Sequence, residues 1–219
     1  NADLITLYQH LQTEGEAFID TCRALFTPEN NDKERYYALR DEFNSTTDLR
    51  RKSAIFLYMN KHGYNGLCRY NMQGGFNVPF GRYKQTYFPE KEMLHFHQKS
   101  QNATFQHADF GEVMEACVLG DVVYCDPPYV PLSDTANFTG YSSGGFGWSE
   151  QQQLAKTAET LCLRQIPVVI SNHDTEFVRE IYHEARIVEF YVQRYISCDG
   201  SNRNKAAELL ALFLPTQER

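Results

Sequence analysis

Val122-Val123-Tyr124-Cys125-Asp126-Pro127-Pro128-Tyr129 reads as an apolar strand that runs straight into a turn. The two prolines fix their own φ and remove two backbone donors. What the turn offers locally is therefore acceptors: the Asp126 carboxylate and the Pro127 carbonyl. On either side the chain alternates between strand and helix patterns. Candidate strands fall at 103–107, 121–125, 166–171, 186–192 and 209–214, and helices fit 149–164 and 175–184. Ser149 with Gln152 reads as an N-cap and capping-box start. Such alternation predicts an α/β fold, whose ligands sit just past the carboxyl ends of strands. That rule singles out residues 126–129. Residues 130–147, rich in Gly, Ser, Thr and Asn, read as a loop of a length usually kept for function.

The first hundred residues follow a different pattern. Residues 1–27 read as one amphipathic helix stopped by Pro28, and 31–44 and 48–62 as two more. Between 63 and 89 glycines alternate with Tyr, Phe and Asn, and Gly74-Gly75 fits a hairpin turn between 69–72 and 76–78. Residues 89–101 read as helix again.

The 219 residues carry 28 acidic and 21 basic side chains, a formal charge of −7, which argues against a generic nucleic-acid binder. Position changes that reading. Arg50, Arg51, Lys52, Lys61, Arg69, Arg82 and Lys84 stand in a stretch without Asp or Glu, which therefore carries +7 and leaves −14 for the rest. Hydrophobic content of 42% argues against disorder, and no run approaches the roughly 20 apolar residues of a membrane span. The six cysteines form no C-x-x-C pair and no zinc pattern, so reduced, mostly buried thiols and a cytoplasmic protein without a metal site are expected.

Two acceptors beside an aromatic ring suit an exocyclic amine on a nucleobase. The N6 lone pair of adenine is delocalised and weakly nucleophilic. Acceptors that hold both its hydrogens favour the attacking geometry and stabilise the developing positive charge. Tyr129 offers a flat face for stacking the base, which must leave a duplex to be reached. The plainer reading of residues 126–129 is a strand-terminating turn.

Asp126-Pro127-Pro128-Tyr129 resembles the catalytic motif of amino-methyltransferases that use S-adenosyl-L-methionine. Four further stretches are similar to the DNA adenine methyltransferase (Dam) family. They are Tyr64-Asn65-Gly66-Leu67-Cys68-Arg69-Tyr70-Asn71, Phe76-Asn77-Val78-Pro79-Phe80-Gly81-Arg82-Tyr83, Thr135-Ala136-Asn137-Phe138-Thr139 and Ile170-Ser171-Asn172-His173-Asp174. The resemblance covers essentially the whole chain. It implies a Rossmann-like fold with a mixed, mainly parallel sheet, and an inserted, mainly helical DNA-recognition domain containing a hairpin. Residues 1–27 would begin the catalytic domain, 28–101 would read DNA, and 102–219 would complete catalysis.

By the same resemblance a monomer flips adenine out of double-stranded GATC and methylates it. Asp126 and the Pro127 carbonyl would hold the amine, and Tyr129 would stack on the base. Asp109, Phe110 and Asp126 would bind the cofactor. Leu67, Arg69, Pro79 and Tyr83 would read bases, and Tyr64 and Asn65 would wedge into the duplex. Arg40, Lys61, Asn71, Asn77, Arg82 and Lys84 would meet phosphates. His173 is expected to support the pocket rather than act as a base.

The family's Gly-rich cofactor segment, its acidic ribose-binding residue and its Lys and Trp cofactor contacts have no counterpart here. The expectation is a missing upstream segment, and little or no activity from these 219 residues alone. Rival readings are an amino-methyltransferase acting on RNA adenine, cytosine N4 or a glutamine amide, and a DNA-binding module without catalysis. An oxidoreductase on a dinucleotide fold is set aside because of the Asp-Pro-Pro-Tyr motif.

Overall fold

The computed structural model describes residues 1–132, 146–193 and 205–215. Its chain divides into two compact units, Asn1–His107 and Ala108–Arg219.

The first unit is helical: α1 (Ala2–Glu14), α2 (Glu16–Arg23), α3 (Lys33–Ser45), α4 (Leu49–His62) and α5 (Glu90–Lys99). Side-chain caps start three of these helices: Asn1 accepts from the Leu4 N–H at the head of α1. Asp32 accepts from the N–H groups of Glu34 and Arg35, and Asp48 from those of Arg50 and Arg51, which satisfies donors that have no partner within the helix. Every residue of α4 from Ser53 to Met59 is buried, so α4 is the central rod around which the others pack. Each large apolar side chain buried there contributes about 1.5–3 kcal/mol.

The single helix expected over 1–27 is two helices. Gly15 stands between them at φ +53°, a backbone conformation that only glycine adopts without strain, and the His97 ring lies 2.7 Å from where a Cβ would be. Leu7, Leu11, Phe18, Ile19 and Cys22 share one core with Tyr36, Leu39, Phe43, Ile55 and Met59. Residues 1–27 therefore pack as part of the helical unit, with no break at residue 27.

The strand expected at 103–107 is absent. Its carbonyls are taken by side chains of α1 instead: Gln9 donates to Phe105 O at 3.0 Å and Gln12 to Ala103 O at 2.8 Å. The Phe105 ring stacks on Phe96. The hairpin turn forms as expected, but its arms are reduced to isolated bridges between Tyr70 and Phe76 and between Gly63 and Phe80.

The second unit contains α6 (Phe110–Glu115), β1 (Val123–Cys125), α7 (Trp148–Leu163), β2 (Val168–His173), α8 (Glu176–Ile181), β3 (Arg186–Gln193) and β4 (Lys205–Phe213). The strand order is β1-β2-β4-β3. β1 and β2 run parallel, with Cys125 opposite Ile170, and α7 is the crossover that a parallel pair requires. β4 lies antiparallel to both β2 and β3. Among the described residues the sheet is mixed but not mainly parallel: β1 with β2 is its one parallel pair, and the two pairs that β4 makes are antiparallel. α7 starts one residue before the expected cap, with Gly147 at the N-cap and the Glu150 carboxylate accepting the Gly147 N–H at 2.7 Å. The short helix α6 was not expected.

The cysteines are less buried than expected. Cys22 is buried, Cys117, Cys125 and Cys162 are half-buried, and Cys68 is exposed; all five are free thiols. Cys198 lies outside the described residues. No helix among the described residues is long and apolar enough to cross a membrane.

Candidate functional site

The parallel register of β1 and β2 brings the ends of the two strands side by side. Ser171, one residue past the Cys125–Ile170 pair, donates its hydroxyl to Asp126 Oδ1 at 2.8 Å and lies 3.3 Å from the Cys125 carbonyl. One carboxylate oxygen of Asp126 is thus tied to the sheet, and the residue as a whole is exposed. The Pro128 carbonyl turns inward and accepts from Gln151 Nε2 at 2.7 Å. The Val130 N–H donates to Asn172 Oδ1 at 3.0 Å. The Val130 carbonyl lies 2.6 Å from His173 Nδ1, which must carry the proton because a carbonyl only accepts. Among the described residues no donor reaches the Pro127 carbonyl. Of the two acceptors expected from the sequence, Asp126 is exposed and Pro127 is buried.

Tyr129 is half-buried beside them. Its ring meets the His173 imidazole edge-on at 4.9 Å between centroids and 82° between planes. Burial raises the Tyr129 hydroxyl above its ordinary range, so the ring is neutral at physiological pH. His173 holds both the loop backbone and this ring, the supporting role expected of it.

Asp109 and Phe110 open α6. Asp109 Oδ1 caps the helix by accepting the Gly111 N–H at 2.8 Å, and the exposed carboxylate keeps a second oxygen for other partners. Phe110 is half-buried, packs on the second unit's core and lies 5.4 Å from the Phe146 ring. Residues 135–139, part of the quoted resemblance, lie outside the described residues.

In the first unit, one face of α3 builds the other candidate surface. Tyr36, Arg40 and Asn44 follow one another at four-residue spacing, and all three bind the second arm of the hairpin. The Tyr36 hydroxyl and Arg40 Nη1 donate to the Val78 carbonyl at 3.0 and 3.3 Å. Asn44 clamps both the N–H and the carbonyl of Phe76. Arg40, expected to contact phosphate, is half-buried, stacks on Tyr37 and braces the hairpin through one Nη. This clamp was missed in the sequence, where polar residues spaced i, i+4, i+8 were the available signal.

Tyr64, Asn65, Leu67, Arg69, Pro79, Tyr83, Arg82 and Lys84 are all exposed, and Lys61 is half-buried. Asn65 holds a left-handed φ of 53°, fixed by donating its N–H to the Tyr83 hydroxyl at 2.9 Å. Arg69 and Asn77, expected in separate roles, are bonded to each other: Nε reaches Asn77 Oδ1 at 2.8 Å and one Nη the Asn77 carbonyl at 3.2 Å. The Asn71 carboxamide oxygen closes the hairpin turn by accepting from Gln73 and Gly75.

The basic stretch divides. Arg50 pairs with Glu14, Lys52 with Asp3, and Arg51 makes two bonds to Glu42, holding that carboxyl below its usual range. These three cations brace helices against one another and are not the phosphate surface that a +7 run suggests. Lys61, Arg69, Arg82 and Lys84 remain for that purpose.

A β–α–β unit whose first strand ends in a carboxylate and two prolines beside an aromatic ring suits an enzyme that acts on an amino group. The comparisons identify which one. Residues 1–196 match the profile of the D12 class N6 adenine-specific DNA methyltransferase. The DNA adenine methylases of Salmonella typhi and Escherichia coli K12 are each 50% identical to this chain over 215 residues, 98% of it and 77% of theirs. That of Vibrio cholerae serotype O1 is 51% identical over 216 residues, 98% of this chain and 78% of its own. The chain belongs to the D12 family of adenine-specific DNA methyltransferases.

Proposed function

We propose that this chain transfers a methyl group from S-adenosylmethionine to N6 of adenine in double-stranded GATC, with the adenine rotated out of the duplex. The observation that carries this reading is the division of acceptors in residues 126–130. The Pro128 carbonyl and both polar backbone groups of Val130 are bonded to the protein, and the second Asp126 oxygen and the Pro127 carbonyl have no donor among the described residues.

In the proposed reaction Asp126 and the Pro127 carbonyl each accept one N6–H. Ser171 holds the other Asp126 oxygen, so the carboxylate meets the amine already oriented. The positive charge developing on N6 faces a carboxylate, which is favourable in a water-poor site. Tyr129 stacks its neutral ring on the base, worth about 1–3 kcal/mol. The cationic product amine is acidic enough to lose its proton to water, which leaves His173 its supporting role.

The residues present fit the cofactor's polar and aromatic parts. Asp109 has an oxygen beyond its helix cap, Phe110 presents a half-buried ring, and Asp126 suits a cationic amino group. When bound, S-adenosylmethionine supplies an electrophilic methyl group on a sulfonium centre.

In the helical unit, Arg69, Leu67, Pro79 and Tyr83 read bases, and Tyr64 with Asn65 wedges into the duplex. Lys61, Asn71, Asn77, Arg82 and Lys84 contact phosphate, with Arg40 bracing the hairpin beneath them. This unit would be the inserted recognition domain, and the protein would act as a monomer. The test is protection of GATC-containing DNA from a methylation-sensitive nuclease after incubation with the full-length protein and S-adenosylmethionine. Methylation at cytosine, or at adenine without regard to GATC, would overturn the substrate assignment.

A further inference from the structure

We infer that Gln151 and Asn172 are positioning residues for methyl transfer, acting as one hydrogen-bond relay that decides which acceptors of residues 126–130 face the substrate. The inference rests on the proposed roles of Asp126 and Pro127 and names residues those roles do not include.

Gln151, Asn172 and Tyr182 are all fully buried. Gln151 enters from the first turns of α7, Asn172 from β2 and Tyr182 from the residue after α8. The direction of every bond is dictated by backbone groups at its ends. The Pro128 carbonyl can only accept, so Gln151 must present Nε2 to it, at 2.7 Å. Gln151 Oε1 must then face inward, where Asn172 Nδ2 donates at 3.0 Å and the Tyr182 hydroxyl lies at 3.4 Å. Asn172 Oδ1 is thereby turned to the N–H groups of Val130 and His173, at 3.0 and 2.9 Å. Neither amide can flip without setting donor against donor or acceptor against acceptor in a buried site.

The consequence is selective. The relay ties down Pro128 C=O and Val130 N–H, the two polar groups that flank Tyr129. With both held inward, the second Asp126 oxygen, on an exposed residue, and the carbonyl of the buried Pro127 are the acceptors to which no described residue donates. Neither Gln151 nor Asn172 touches the substrate in this arrangement. Displacing a reacting group by about an ångström costs on the order of 100-fold in rate.

A protonated carboxyl supplies one donor and one acceptor, the pair that Gln151 uses here, so Gln151→Glu is a test with its own signature. Burial and the Pro128 carbonyl both favour the protonated form. At low pH the variant should reproduce the relay, and at high pH it should lose the donor. The titratable groups around the site are Asp126, Tyr124, Tyr129, His173, Glu208, the Tyr182 hydroxyl and the Cys125 thiol, the last two pushed up by burial to about 12 and about 11, and all are present equally in the parent. The ratio of variant to parent turnover therefore isolates residue 151.

The experiment uses the full-length protein with GATC duplex and S-adenosylmethionine, comparing the parent with Gln151→Leu, Gln151→Glu and Tyr182→Phe. Gln151→Leu should lower turnover at saturating DNA by about 100-fold with DNA affinity within about twofold. The Gln151→Glu ratio should fall as pH rises from 6 to 9. Tyr182→Phe keeps the Gln151–Asn172 bond and should lose only a few-fold. Parent-like turnover in Gln151→Leu, or a flat Gln151→Glu ratio, would overturn the inference. Hydrogen exchange at the Val130 amide supplies a readout independent of activity. It should accelerate in Gln151→Leu while α1–α5 amides stay as in the parent, and unchanged exchange would also overturn the relay. Faster exchange in a chain that does not methylate adenine would instead count against the proposed function and leave the relay standing.

Discussion

The acceptor loop at 126–130 and the hairpin at 69–80 are both shaped by side chains that bond to backbone. They differ in what surrounds those bonds. Around the loop, Gln151 and Asn172 are fully buried, and in such surroundings a broken hydrogen bond goes uncompensated. Around the hairpin, only the Tyr36 end of the clamp is deeply buried; Asn44 and the Arg69 fork face water. Bonds of the second kind exchange partners at small cost. On the proposed function the comparison teaches a division: a reacting amine requires acceptors that do not move, whereas base reading requires a fork that can leave Asn77 for a base edge.

The largest expected effect tests the rigid side. Asp126→Ala should reduce methyl incorporation by about a thousandfold, with DNA affinity within about twofold. Retention of a tenth of the activity would place the chemistry elsewhere. On the adaptable side, Arg69→Ala should cost about 1–3 kcal/mol at one base pair of the site and little at the others. Competition binding with single-base variants of the duplex measures this, and uniform weakening would reassign Arg69 to phosphate.

Between the two lies the clamp. Tyr36→Phe removes a donor from the buried end and should lower stability by about 1 kcal/mol in denaturant titration. His62 gives a pH-dependent version of the same comparison. It is fully buried, with Nδ1 donating to the Tyr58 carbonyl and Nε2 accepting from the Thr86 hydroxyl, and burial lowers its pKa from the ordinary 6.5. Below that value the unfolded chain binds a proton that the folded one resists, so stability is lost as pH falls through and beneath it. Melting temperature should drop more steeply from pH 7 to 5 in the parent than in His62→Gln.

The smallest effect concerns the divided basic stretch. Arg51→Ala should leave the salt dependence of DNA binding unchanged, because Arg51 is committed to Glu42. Lys84→Ala should reduce the slope of log affinity against log salt by about 1. Equal changes in the two variants would restore the undivided reading.

These residues also show what the sequence could and could not carry. The strand-to-loop transition at Cys125–Asp126 was legible because prolines act on their own backbone, whatever surrounds them. The turn at Gly74-Gly75 was legible for the same local reason. The strand expected at 103–107 failed because alternation describes a side-chain pattern and not a partner; Gln9 and Gln12, nearly a hundred residues away, took its carbonyls. Gly15 was visible as a glycine, but the ring of His97 that fills its missing side chain was not. The relay was illegible for a related reason. Gln151 lies in a run of three glutamines, and only the fold shows which one turns inward. The charge run misled because sequence neighbours on a helix face different ways: Arg50, Arg51 and Lys52 each found a different acid.

The two proposed acceptors also bear on the fate of the product. An unmodified adenine brings two N6 hydrogens to Asp126 and Pro127, and both find an acceptor. A methylated adenine brings one. One acceptor must then face a methyl group, and the developing charge of a second transfer would lack half of its support. On the proposed reading the loop holds its product less well than its substrate, which favours departure of the base and ends the modification at a single methyl group.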